Sequence, residues 1–333
     1  MSRTKTPNTA GSLVSLIVLF ISAALALVLV LNRQAIIDQL AVWQYEPSQE
    51  IRGFTDRTAM TDRGEFLFYA SQPSLEGTQM FNEKCARIEQ SSAILGCYNG
   101  QYIYIYDVKN EKLDGIREVT AAHEMLHAAY LRMSDNERAK VDRLVEAEYT
   151  KLSGNQEFAE RMAFYARTEP GERDNELHSI IGTEVALIDP ELEQHYTAYF
   201  TDRSKVVALH TQYASIFYEL QARGKELSAE LERLADQIEA ASGAYNQATV
   251  ALNNDIQSFN ERANSGAFSS QAQFNAERAS LVARVEGLEA QRAAINSDRA
   301  RYNDLREELV AIASESEALN RSIDSSLAPA PSL

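Results

Sequence analysis

The chain lacks the surplus of basic residues that nucleic-acid-binding proteins carry. Its 333 residues include 32 Lys and Arg against 48 Asp and Glu, which gives a formal net charge of −16 at pH 7. Because phosphate binding depends on basic patches, this balance argues against nucleic acid as a partner, and it also disfavours broad adhesion to anionic lipid. Glycine and proline are few, at 14 and 7 residues. The composition is that of a folded protein, long enough for one core and an accessory region.

One long hydrophobic run is present, at residues 13 to 31, where 19 positions carry no charge. At ~1.5 Å per residue such a helix spans about 28 Å, close to the ~30 Å hydrocarbon core of a bilayer. The apolar region of a cleaved signal peptide, the competing interpretation, is usually only about 7–15 residues. Arg3 and Lys5 precede the run and only Arg33 follows it closely. The pattern predicts a single-pass anchor with residues 1–12 in the cytoplasm and the rest of the chain outside it, facing the periplasm or the cell exterior.

Cysteine is nearly absent, with only Cys85 and Cys97 in the chain. An even count in an exported domain predicts one disulfide, and two unpaired buried thiols are the alternative. Asn99-Gly100 is a strong signal for a hairpin turn. Cys97 is therefore expected on a strand just before a tight turn.

Strands are predicted only in the first third of the chain. Residues 65–70 form a short apolar run, residues 93–98 lead into the Asn99-Gly100 turn, and residues 101–108 alternate Tyr and Ile. These patterns indicate three strands of a small antiparallel sheet, all before residue 110. Residues 32–60 show no clear periodicity and are predicted to be a juxtamembrane linker.

From residue 116 onward the pattern is helical. Apolar residues and both His123 and His127 recur at steps of three and four over residues 116–130. Ser134 and Glu137 match a capping box that opens a helix ending near Leu152. Further helices are predicted at about 156–166 and 173–187, and Asp189-Pro190 starts another.

The last third predicts a long antiparallel helical hairpin, residues 204–325. Two apolar stripes with steps of three and four are joined by the Gly- and Ser-containing segment 263–270. These stripes indicate a coiled-coil core and not a cofactor site, and the hairpin is a candidate surface for a protein partner or for self-association. Residues 326–333 are predicted to be a disordered tail.

The chemistry of the chain centres on His123-Glu124-Met125-Leu126-His127. Residues four apart lie on one helix face, so His123 and His127 can bind the same ion. Glu124 is rotated about 100° from His123, where its carboxylate can reach a water on the metal without binding the metal itself. A zinc ion in such a site lowers the pKa of the water toward about 7 and the carboxylate accepts its proton. The alternative is that both histidines are ordinary core residues.

The His-Glu-x-x-His motif resembles that of the zincin metallopeptidases. The metzincin branch is excluded because Ala128-Ala129-Tyr130 follow His127 in place of the extended motif. Asn175-Glu176-Leu177-His178-Ser179 is similar to the start of the ligand helix in thermolysin-type enzymes, a gluzincin arrangement. The resemblance covers residues 61–203 and implies a helical zincin-like core within an α+β fold.

That resemblance also assigns roles to residues. It implies that Glu176 is the third metal ligand, with Glu184 and His178 as rivals, and that the strand at residues 101–108 binds an extended substrate. Thermolysin-like enzymes have an Asp four residues after the ligand Glu, where this chain has Ile180. Four side chains are candidates for oxyanion stabilisation, and nothing in their spacing selects among them: Tyr165, His195, Tyr196 and Tyr199.

The leading hypothesis is a membrane-anchored zinc metallopeptidase with Glu124 as its catalytic base and His123, His127 and Glu176 as its metal ligands. A second hypothesis is a non-enzymatic envelope scaffold in which the hairpin is the functional part and the metal site is structural or vestigial. Retention of Glu124 favours the enzyme, because a purely structural site has no use for that carboxylate. A third hypothesis keeps metal-dependent hydrolysis but assigns another substrate, such as a cell-wall amide.

Overall fold

The computed structural model describes residues 9–85, 94–168 and 170–325. Helices dominate these residues and a small sheet accompanies them, which agrees with the predicted α+β class. The helices are α1 (Thr9–Leu31), α2 (Arg33–Gln44), α3 (Gln49–Arg57), α4 (Asp62–Ala70), α5 (Thr78–Lys84), α6 (Ile116–Leu131), α7 (Asp135–Leu152), α8 (Gln156–Thr168), α9 (Arg173–Glu184), α10 (Pro190–Tyr196), α11 (Ser204–Asn264) and α12 (Gln271–Ile323). The strands are β1 (Ser74–Glu76), β2 (Gly96–Tyr98) and β3 (Ile103–Tyr106).

The sheet is mixed, with strand order β1-β3-β2. β2 and β3 are antiparallel as predicted, but β1 runs parallel to β3, so the prediction of a purely antiparallel sheet is wrong. The chain passes through α5 and β2 between β1 and β3, and this longer connection allows the parallel pairing that a tight hairpin cannot give.

One prediction in the first 70 residues is also wrong. Residues 65–70 belong to helix α4 and not to a strand, because the Thr61 side chain accepts a hydrogen bond from Gly64 N–H and caps a helix there. A short apolar run does not by itself distinguish a strand from a buried helix. Residues 32–60, in which the sequence shows no clear periodicity, contain α2 and α3.

The turn and the disulfide are confirmed. Gly100 has a positive φ of 91°, a conformation that favours glycine, and Asn99 N–H donates to Tyr102 O at 3.2 Å. Cys97 lies on β2 and is bonded to Cys85, with 5.9 Å between their Cα atoms. The bond attaches β2 to the end of α5.

The predicted helices after residue 116 are confirmed with small changes at their ends. The Ser134 side chain accepts from Glu137 N–H, and the Glu137 carboxylate accepts from Ser134 N–H, which completes the predicted capping box. Asp189 caps α10 through Glu191 N–H, with Pro190 in the first turn. Helix α9 ends at Glu184, earlier than the predicted Leu187, because Val185 adopts an extended backbone.

Residues 1–215 and 320–333 form one compact unit, here unit 1. Its core is built around α6 and α9, whose inward sides are almost wholly buried. The fully buried core side chains include Phe68, Ile103, Ile105, Met125, Leu126, Leu177, Ile180 and Tyr196. The end of α12 and the residues after it belong to this unit, because Asn110 donates a hydrogen bond to the Ser322 hydroxyl and Asn82 donates one to the Ser325 carbonyl.

Residues 216–319 form the second unit, unit 2, which is a helical hairpin. Three hydrogen-bonded pairs join the two helices: Arg223 with Glu308, Gln237 with Asp298, and Asp255 with Arg284. From pair to pair the residue number rises in α11 and falls in α12. The two helices are therefore antiparallel, as predicted. Their buried residues follow the predicted apolar stripes: Leu227, Leu231, Leu234, Leu252, Phe259 and Ile295.

Within the part of the chain described with its side chains, no single helix is both long and apolar enough to span a bilayer. Residues 17–31 of α1 and helix α2 reach the required length and composition only as a pair, and their axes differ by 68°.

Candidate metal centre

The structure brings the three predicted ligands together. His123 and His127 lie one turn apart on α6, and Glu176 lies in the first turn of α9, which packs against α6. One donor atom from each of the three residues lies within 4.8 Å of the other two. The two Nε2 atoms are 3.0 Å apart, and the Glu176 oxygens are 3.4 Å from His127 Nε2 and 3.8 Å from His123 Nε2.

These distances, of which the 3.4 Å one involves Glu176 Oε1 and the 3.8 Å one Glu176 Oε2, are close to those of a small tetrahedral metal site, and two of them differ from its range by a few tenths of an ångström. Ligand bonds of about 2.0–2.2 Å at tetrahedral angles place the donor atoms about 3.3–3.6 Å apart. Two imidazole nitrogens and one carboxylate also leave a fourth position open, as in catalytic sites. The side chains are mostly shielded from solvent, with exposed fractions of 17% for His123, 11% for His127 and 6% for Glu176. That the group binds a metal remains a prediction.

The ring of His127 is oriented by its neighbours on α9. Asn175 Nδ2 donates to Glu172 Oε2 at 2.9 Å, which turns Asn175 Oδ1 toward His127 Nδ1, also at 2.9 Å. Ser179 Oγ lies 3.2 Å from the same nitrogen. With a proton on Nδ1 donated to Asn175, the Nε2 atom of His127 keeps the lone pair that a metal needs.

Sequence reasoning missed this support for His127. It noted that Ile180 replaces the Asp of thermolysin-like enzymes, and Ile180 is indeed a buried apolar residue. In this chain Asn175 and Ser179, and not a residue at position 180, contact the His127 ring. The signal was present in the sequence, because residues four apart on a helix share a face.

Burial lowers the pKa of His123 well below its ordinary value, and the neighbouring His127 and Arg161 lower it further. The imidazole is therefore neutral at pH 7. Neutral imidazole is the form that binds metal ions.

Glu124 is buried, with 5% of its surface exposed, and it faces strand β2. A Cβ atom built on Gly96 would lie 2.5 Å from Glu124 Oε1 and 2.6 Å from Thr120 Cγ2. Only glycine fits this close approach, so the β2 backbone lies directly against the carboxylate. The predicted catalytic base thus packs against β2 and lies on the helix that carries His123 and His127.

The expectation that residues 101–108 offer a strand edge to a substrate is wrong. β3 is the central strand, and its backbone pairs with β1 on one side and β2 on the other. Among the described residues, β2 is the outer strand on the side of Glu124. Leu95 O accepts a hydrogen bond from Tyr106 N–H, and Asn99 N–H donates to Tyr102 O. Because the direction of the peptide groups alternates along a strand, the N–H and C=O groups of Gly96 and Tyr98 face away from β3, toward the outer edge.

The two rival third ligands lie elsewhere. Glu184 Oε2 pairs with Arg161 at 2.8 Å and lies 3.3 Å from His210 Nε2. His178 is fully buried, and its Nε2 lies 3.0 Å from His195 Nε2. Of the three candidates, only Glu176 lies in the group with His123 and His127.

The four oxyanion candidates divide into two groups. His195, Tyr196 and Tyr199 surround His178, and the Tyr196 hydroxyl donates to the His178 carbonyl at 2.7 Å. Tyr165 is different, because burial raises the pKa of its hydroxyl and the charges of Glu176, Glu184 and Glu124 raise it further. Of the four candidates, Tyr165 is the one whose hydroxyl pKa is raised by the charges of Glu176 and Glu124.

Comparison with protein-family models, with curated proteins and with solved structures finds no match to this chain. The functional interpretation therefore depends on the geometry of the site.

Proposed function

We propose that the chain is a zinc-dependent peptidase, anchored in the membrane by its N-terminal helix, with the residues after the anchor outside the cytoplasm. The observation that carries the proposal is the group His123, His127 and Glu176, together with the buried Glu124, which directly follows His123 on α6. A structural site needs the three ligands, but it does not need an acidic side chain one position after the first histidine.

The residues have distinct roles in this mechanism. His123, His127 and Glu176 would hold the ion, which when bound supplies Lewis acidity and lowers the pKa of water toward about 7. The Glu124 carboxylate accepts a proton from the attacking water and passes it to the leaving nitrogen. The Tyr165 hydroxyl donates a hydrogen bond to the developing oxyanion.

The outer edge of β2 is the proposed binding place for an extended peptide. Gly96 and Tyr98 present their peptide groups there, and Gly96 adjoins Glu124. Pairing along this edge would align a scissile carbonyl beside the ion and the base. A cell-wall amide is the alternative substrate, and comparing peptides with muropeptides in the same assay would distinguish the two.

The first test is the metal content of the full chain in detergent. We expect about one zinc per chain in the parent protein and its loss in His123→Ala and Glu176→Ala, because two remaining ligands hold zinc weakly. Glu184→Ala is the matched control and should keep its zinc, since Glu184 pairs with Arg161 and not with the ligand group. A parent protein that binds no zinc after zinc is added back would refute the metal site.

The Asn175 contact provides a second prediction. Asn175→Ala removes the acceptor that orients the His127 ring, and outer-shell changes of this kind typically weaken metal affinity by about 10–100-fold. Titration against a fluorescent zinc chelator measures this change. Asn136→Ala, at an exposed position of α7, is the control and should leave the affinity unchanged. Equal affinities in both variants would show that Asn175 does not position the ligand.

The alternative function, a non-enzymatic scaffold, is favoured by one observation. Unit 2 is a hairpin of two long helices, a form suited to recruiting a partner or to self-association. A chain that binds zinc but hydrolyses neither peptides nor cell-wall amides would favour this function.

A further inference from the structure

Helix α2 has an exposed apolar strip formed by Ile36, Ile37, Leu40 and Trp43. Their exposed fractions are 37%, 41%, 46% and 75%. Ile36, Leu40 and Trp43 are spaced at i, i+4 and i+7, so they share one side of the helix, and Ile37 borders it. Trp43 is the only tryptophan of the chain.

The charges of α2 are distributed in a way that suits a lipid surface. Asp38, its only acidic residue, is 4% exposed and lies on the side opposite Ile36. Arg33, its only basic residue, is exposed on the same side as the strip. In a chain of net charge −16, the outward side of α2 therefore carries no negative charge and offers one guanidinium to lipid phosphate.

The position of α2 directly after the anchor helix indicates that the lipid bilayer is what covers this strip. Only Asn32 separates α2 from α1, whose residues from Ile17 to Leu31 are exposed and, apart from Ser22, all apolar. The two helix axes differ by 68°. If α1 crosses the bilayer along its normal, α2 is inclined by only 22° (90° minus 68°) to the membrane plane.

The buried side of α2 is attached to the candidate metal centre. Asp38 accepts two hydrogen bonds from Arg132, at 2.8 and 2.9 Å. Arg132 caps the C-terminal end of α6, the helix of His123 and His127, and it also donates to the Tyr98 hydroxyl on β2 at 2.8 Å. One guanidinium thus joins α2 to both the ligand helix and the outer strand.

We propose that α2 lies in the interface of the bilayer, with Ile36, Ile37, Leu40 and Trp43 among the upper acyl chains. Helices of this kind bury their apolar side about 5–10 Å into the headgroup and acyl boundary. Through Asp38 and Arg132 the helix then holds the metal centre at a fixed height above the membrane. The substrates it selects are peptide segments close to the bilayer surface. The position of α2 relies on the anchor of the proposed function alone, and the choice of substrate relies also on the proposed hydrolysis.

The single tryptophan makes a direct test possible. The full chain is reconstituted into phosphatidylcholine vesicles that contain lipids brominated either near the headgroup end or near the middle of the acyl chain. We expect Trp43 emission at shorter wavelength than in the urea-unfolded chain, and a greater loss of emission with the shallow bromines than with the deep ones. Flotation of the chain with the vesicles establishes that α1 is inserted.

Two variants sharpen the test. The double variant Ile36→Ser and Leu40→Ser should lose most of the quenching, because the strip no longer favours the acyl region. Leu187→Ser is the matched control, since Leu187 is 89% exposed outside α2, and it should behave like the parent. Glu124→Gln should also behave like the parent, which separates a failure of this inference from a failure of the proposed hydrolysis.

Three results would overturn the inference. If the chain floats with the vesicles but Trp43 emits at the wavelength of tryptophan in water and is not quenched, α2 does not contact the bilayer. Emission at short wavelength without quenching by either lipid means that protein, such as a second copy of the chain, covers the strip. A chain that does not float with the vesicles has no anchor to bring α2 to the membrane.

Discussion

Replacing Glu124 by glutamine is expected to lower peptide hydrolysis by about 10²–10⁴-fold, the contribution that a positioned acid or base typically makes. Zinc content should not change, because the ligand group consists of His123, His127 and Glu176. Glutamine has nearly the same volume as glutamate and keeps the contact with Gly96, so the fold is retained. Turnover of a quenched fluorescent peptide library, beside metal analysis of the same preparation, measures both quantities.

The control for this experiment is Glu160→Gln, an equivalent change at an exposed position of α8. It should hydrolyse peptides at the parental rate. If Glu124→Gln retains full turnover with full zinc, the carboxylate is not the base and the proposed mechanism is wrong. If the parent binds zinc but cleaves no peptide and no cell-wall amide, the scaffold function becomes the better explanation.

Gly182→Ala is expected to destabilise unit 1 by about 1–3 kcal/mol, the usual cost of adding an atom to a filled core. Gly182 lies on α9, where an added Cβ would be 2.5 Å from Leu126 Cδ1 and 2.7 Å from a ring carbon of Tyr196. Both side chains are fully buried, and Leu126 directly precedes His127. We also expect weaker zinc binding, because moving α9 away from α6 separates Glu176 from the histidines.

Urea unfolding followed by near-ultraviolet circular dichroism measures this stability, since the buried aromatic side chains Tyr130, Tyr196 and Tyr199 belong to unit 1. Gly53→Ala is the matched control, because Gly53 is also inside a helix of unit 1 and has no neighbour within 4 Å of an added Cβ. Its expected effect has the opposite sign, a gain of about 0.5–1 kcal/mol from the greater helix preference of alanine. If the two substitutions change the free energy of unfolding equally, the requirement for glycine at position 182 does not come from the close packing of α6 against α9.

Local sequence rules were sufficient for one half of the candidate site. His123 and His127 are one helical turn apart, so the helix period alone places them side by side. Glu176 comes 49 residues after His127, and its arrival at the same point depends on how α6 and α9 pack. No local rule gives that packing, and Glu176 was found only because its neighbours resemble a known ligand helix.

Features that depend on tertiary contacts were missed. Strand β1 has three residues, too few to show an alternating pattern, while the apolar run before it matched a strand and formed α4. The contact of Gly96 with Glu124 was not predicted either. A glycine directly before Cys97 in a predicted strand could have indicated it, because glycine within a strand often marks the close approach of another group.

The hairpin of unit 2 is an insertion into unit 1. The chain leaves unit 1 after Ser215 and returns at Asn320, and the two helical arms between these points, 216–264 and 271–319, are equally long. Hydrogen bonds that Asn110 donates to Ser322 and Asn82 donates to Ser325 hold the returning end within unit 1. The length of the hairpin is therefore a property that evolution or design can adjust without rebuilding the candidate metal centre. Both arms must then gain or lose the same whole number of heptads, each about two helical turns long.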